Sequence, residues 1–67
     1  IADNILKDIE LVGIILGDNP EAIIEDKKRR TSYRLTSGQF LNDIEICDIK
    51  EGKVIIELKG ERYELMM

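Results

Sequence analysis

The sequence predicts an all-β fold, a small sandwich or barrel of about six short strands. Three observations carry this. Short aliphatic or alternating runs recur along the chain. Turn-forming clusters separate them about every 8–12 residues. After Ile9 no stretch shows the 3.6-residue apolar period of a helix.

The first residues read differently from the rest. Ile5, Leu6 and Ile9 follow Asp3 and Asn4, which could cap a short helical turn, so residues 1–9 are expected to form a lead-in. The β-domain is expected over 10–67. Leu11 to Leu16 is a continuous apolar run closed by Gly17-Asp18-Asn19-Pro20, a strand and a turn, and Pro20 cannot continue the ladder. Gly13 inside this run suggests a bulge or a close backbone approach. Ala22 to Asp26 is the second strand, and Lys27-Lys28-Arg29-Arg30 turns the chain. In Thr31 to Thr36, Thr31, Tyr33 and Leu35 share one face, while Ser32 and Arg34 share the other. Ser37-Gly38-Gln39 breaks the run. Ile44 and Ile46 then alternate with charges as far as Ile49. Glu51-Gly52 is a tight hairpin signal leading into Lys53 to Leu58, with Val54, Ile56 and Leu58 on one face. Lys59-Gly60 turns the chain again into Glu61 to Leu65, where Tyr63 and Leu65 point one way.

Composition narrows the chemistry. The chain has 67 residues, no His, one Cys and a net charge of −4. The common His/Cys zinc frameworks and any Ser-His-Asp or Cys-His nucleophilic site cannot be built from it. An acidic balance with only Phe40, Tyr33 and Tyr63 as aromatics argues against a general nucleic-acid binder. No catalytic residue, metal ligand or cofactor is assigned. Cys47 has no partner for an intramolecular disulfide and is expected to be a small buried hydrophobe. A domain this small hides only about 60% of its unfolded surface, so the core must be thin, and its material is 12 Ile and 7 Leu. The longest apolar run is far below the roughly 20 residues of a spanning helix, and no signal peptide is visible. The chain opens on Ile1 rather than Met, which points to a fragment of a longer protein.

Few residues stand out as functional. The basic cluster Lys27 to Arg30 could hold phosphate, an acidic lipid surface or an acidic partner. Flanked by Glu25 and Asp26, it is read as a solvated hairpin loop that also discourages edge pairing. A small SH3-like or Sm-like barrel binding peptide or nucleic acid through this loop is the alternative. The carboxylates at Asp43 and Glu45, and at Glu25 and Asp26, are read as solvent-facing. Tyr33 and Tyr63 fit either an interface or the edge of a small core. Leu11 to Leu16 carries no charge to protect a sheet edge, so part of it is either interior or covered by a partner.

The order of these pieces resembles the periplasmic homology region of the general secretion pathway protein C family, the inner-membrane connector of the bacterial type II secretion system. The likeness starts at Leu11-Val12-Gly13-Ile14-Ile15, continues through Ala22-Ile23-Ile24-Glu25, and closes with Ile49, Gly52-Lys53-Val54-Ile55-Ile56 and Lys59 to Leu65. Gln39 departs from the family's acidic residue after the turn glycine. The resemblance implies a sandwich of two three-stranded antiparallel sheets in the periplasm. The domain would belong to an inner-membrane protein whose spanning helix lies outside this segment. It implies binding to the N-terminal periplasmic domain of the outer-membrane secretin, which couples the inner-membrane platform components to the exit pore for export of folded proteins. It implies no enzymatic activity and no cofactor. Carried over to this chain, the contact element is Leu11, Val12, Gly13, Ile14 and Ile15, with Arg34 and Tyr63 as further contacts. The pilus-assembly lipoprotein family shares a similar β-domain and is the related alternative, with its own secretin as partner.

Overall fold

The computed structural model describes residues 7–67 and is all-β. Seven strands follow in order: β1 (Ile9–Ile15), β2 (Glu21–Asp26), β3 (Thr31–Leu35), β4 (Phe40–Leu41), β5 (Ile44–Lys50), β6 (Lys53–Leu58) and β7 (Glu61–Met66). They form two antiparallel sheets with neighbouring strands adjacent in sequence, one ordered β1-β2-β3 and the other β4-β5-β6-β7. The second sheet therefore has four strands where three were expected. The addition is β4, two residues paired to the start of β5 through Leu41 and Ile44. The expected helical turn falls mostly outside the described residues, and Ile9, grouped with it by spacing, opens β1 instead.

Alternation in each strand builds the core. Ile9, Leu11, Ala22, Ile24 and Leu35 come from the first sheet, and Leu41, Ile44, Ile46, Ile49, Val54, Ile56 and Leu58 from the second. These inner faces pack together as a sandwich, with β1 lying across β6 and β7. Tyr33, Tyr63, Ile14 and Leu65 close the margins of this core, half-buried against it. Nearly all of it is Ile, Leu and Val, whose branched side chains suit a pleated surface.

Two bulges interrupt the alternation. On β1, Leu11 pairs with Ile24 but Gly13 pairs with the adjacent Ile23, so Val12 is an extra residue. On β5, Ile46 pairs with Ile56 but Asp48 with Ile55, so Cys47 is the extra residue there. Each bulge moves the inward face from one residue parity to the other: Leu11 to Ile14 on β1, and Ile46 to Ile49 on β5.

The crossing between the sheets is made by residues 36–39. The Gly38 amide donates to the Ile46 carbonyl at 2.7 Å, and the Ile46 amide donates to the Gln39 carbonyl at 2.9 Å. The Thr36 amide donates to Gln39 Oε1 at 2.9 Å, so the Gln39 side chain fixes the turn that its backbone anchors.

Candidate docking face

The bulge at Val12 decides what β1 offers to the outside. Leu11 points inward and is only 5% exposed, so its side chain belongs to the core. Ile14 also points inward, packed against the core margin. Val12, 42% exposed, and Ile15, 41% exposed, point outward, and Leu16 beyond the strand end is 53% exposed. The run Leu11 to Leu16 thus divides between core and surface.

Register places more residues on the same outer face. Gly13 pairs with Ile23, and Ile23 pairs with Arg34 on β3, so these three form one row across the sheet. Ile15 lies in the next row, opposite Glu21. Arg34 Nη1 lies 4.0 Å from Glu21 Oε1, across the end of the aliphatic cluster. At the other end Glu10 pairs with Glu25, and Lys27 Nζ lies 3.5 Å from Glu10 Oε1. The result is a small aliphatic centre of Val12, Ile15 and Ile23 between two charged ends, the pattern of a polar-rimmed contact surface.

Of the residues assigned to contact from the sequence, Val12, Gly13, Ile15 and Arg34 come together here. Leu11 and Ile14 lie on the opposite face of the same sheet. Tyr63 lies on β7 of the other sheet, half-buried, with its hydroxyl donating to Glu61 Oε2 at 2.7 Å. Ile23 was not singled out from the sequence. It read as ordinary strand alternation, and only the pairing with Gly13 and Arg34 shows that it joins Val12 and Ile15.

The basic loop is largely compensated. Lys27 is held by Glu10, Lys28 Nζ lies 3.5 Å from Asp8 Oδ2, and Arg29 Nε lies 4.0 Å from Asp26 Oδ2. Such exposed pairs add little stability, but they spread acidic charge among the basic groups and weaken any anion site. Asp26, expected to face solvent, is instead buried because its carboxylate caps this turn, its Oδ1 accepting the amides of Lys28 at 3.0 Å and Arg29 at 3.2 Å. Glu25 faces outward beside it, so these adjacent carboxylates do not converge. An open cleft of about 190 Å3 lies at this end of the sandwich, between the β2–β3 and β4–β5 turns. Its rim charges, Asp8 with Lys28 and Asp26 with Arg29, already satisfy one another.

Cys47, expected in the core, is half-buried at its bulge, and its thiol lies 3.8 Å from the Glu45 carbonyl. Among the described residues no group of three or more His, Cys, Asp or Glu side chains is placed to hold a metal ion. Among them, too, no helix is long and apolar enough to cross a membrane. Comparison with protein-family models, with characterised proteins and with solved structures finds no match.

Proposed function

We propose that the chain is a protein–protein docking domain and that the outer face of the β1-β2-β3 sheet is its docking face. The observation that carries this reading is the cluster of Val12, Ile15 and Ile23, outward-facing aliphatic side chains flanked by Arg34–Glu21 and Glu10–Lys27. Leaving such a cluster uncovered forgoes burial worth about 25 cal/mol per Å2, which a partner surface would recover.

The resemblance to the homology region supplies the partner. The domain then binds the N-terminal periplasmic domain of the outer-membrane secretin and links it to the inner-membrane platform, on the periplasmic side of a bacterial inner membrane, to support export of folded proteins. On this reading it carries out no catalysis and needs no cofactor. A modest affinity suffices, because tethering many copies beside a multimeric pore raises effective concentration.

Calorimetric titration of the domain with that secretin domain tests the reading. Saturable binding is expected, and Val12→Asp should weaken it about tenfold or more while the circular dichroism spectrum stays that of the wild type. A flat titration with folded wild-type protein overturns it.

A further inference from the structure

Resting on the docking reading, we infer that the outer face of the first sheet selects a partner surface of defined chemistry: an aliphatic patch that seats on Val12, beside a Lys or Arg that lies over the Glu10–Glu25 row. Two independent features of the fold lead here.

The first is the bulge. Val12 is surplus to the β1–β2 ladder: Leu11 pairs with Ile24, Gly13 with Ile23 and Ile14 with Ala22, and none of these pairs needs residue 12. Without Val12 the strand would alternate regularly, with Ile9, Leu11 and Ile14 still inward. The extra residue adds nothing to the core. Its effect is to place one more aliphatic side chain on the outer face and to bend the strand locally, as bulges do where a side chain must be re-aimed.

The second is the charge row. Glu10 and Glu25 are directly opposite across β1 and β2, an arrangement of like charges that is unfavourable in the isolated sheet. Lys27 reaches Glu10, and among the described residues no cation is placed on Glu25. One negative charge is therefore left beside the aliphatic cluster, on the side away from Arg34. A cation on the partner would relieve the repulsion that the fold leaves in place, which is charge complementarity at a rim.

The experiment compares wild type, Glu25→Lys and deletion of Val12, each titrated with the secretin's N-terminal periplasmic domain at low and at moderate salt, with thermal melting recorded alongside. The inference expects deletion of Val12 to leave melting close to wild type and to weaken binding about tenfold or more. Glu25→Lys, which turns the opposed like charges into an opposite pair, should melt at or slightly above the wild-type temperature, bind about tenfold more weakly at low salt, and lose most of the salt dependence. Wild-type affinity in either folded variant overturns the inference and leaves the docking reading standing. Absence of binding by folded wild type overturns both. If deletion of Val12 unfolds the domain, Val12 is needed by the fold and the inference fails at its first step.

Discussion

Gly13 and Ile23 lie opposite each other in the β1–β2 pair, and a Cβ on residue 13 would stand 3.2 Å from Ile23 Cδ1. The contact is tight but not prohibitive, because the Ile23 δ-methyl is the end of a rotatable side chain on the outer face. Gly13 does not have a left-handed backbone. Gly13→Ala thus sets a small steric cost against the stabilisation of about 0.4–1 kcal/mol that comes from restricting the unfolded chain. The net change in urea-unfolding free energy should stay within about 0.5 kcal/mol of zero. A loss above about 2 kcal/mol would mean that Ile23 is rigidly held and that the outer face is packed as tightly as the core.

The β6–β7 hairpin makes a sharper prediction. Leu58 pairs with Glu61, leaving a two-residue loop, and both Lys59 (φ 54°) and Gly60 (φ 82°) are left-handed. That is the type I′ turn, whose twist matches the flanking strands and whose favoured first residue is Asn. Lys59 pays a left-handed penalty that Asn largely avoids. Lys59→Asn should raise stability by roughly 0.5–1 kcal/mol, and Gly60→Ala should lower it by about 1–2 kcal/mol. Opposite signs in chemical denaturation are the expected result, and equal effects would rule out this turn geometry.

Turns of this kind explain how far the sequence could be read. Glu51-Gly52 and Lys59-Gly60 each place Gly where φ is positive, and both hairpins were legible for that reason. Asn42-Asp43 makes an equally short connection, with Asn42 at φ 55°, but it follows a strand of two residues, too short to show any alternation. Alternation alone therefore counts about six strands and misses β4. The bulges hid more. Strict alternation from Leu11 would place Gly13 and Ile15 inward, whereas the surplus Val12 turns Ile14 inward and Ile15 out. Gly13 hinted at the bulge, but nothing local states which residue is extra; pairing with β2 decides it. Cys47 is expected in the core from the general tendency of a lone thiol to be buried; its half-buried place at a bulge depends on pairing with β6, which nothing local states.

Asp26 tests the cap of the β2–β3 turn. Its carboxylate is buried and accepts two backbone amides, from Lys28 and Arg29, while Arg29 lies near its other oxygen. Asp26→Ala leaves those amides without an acceptor, and charge-assisted hydrogen bonds of this kind are each worth about 1.5–3 kcal/mol, so a loss of at least about 2 kcal/mol is expected. Asp26→Asn keeps an acceptor oxygen and should lose less than Asp26→Ala. Equal losses in the two variants, measured by thermal and urea unfolding, would show that the negative charge rather than the acceptor is what the turn requires.

The division of β1 between core and surface gives the most direct test of the fold and of the proposed docking face together. Leu11 and Val12 are adjacent, yet one lies in the core and the other is 42% exposed. A carboxylate at residue 11 would be buried opposite Ile24 in the apolar core, which a domain of marginal stability cannot absorb. A carboxylate at residue 12 stays in water at the bulge and alters no core contact. Leu11→Asp should therefore be unfolded by circular dichroism at room temperature, whereas Val12→Asp should fold, with a stability change below about 1 kcal/mol. If both variants fold, Leu11 is not in the core. If both unfold, Val12 is not on the surface, and the aliphatic cluster it forms with Ile15 and Ile23 is not available to a partner. Only the asymmetric outcome is compatible with a bulge that adds one residue to the outer face while leaving the inner ladder unchanged.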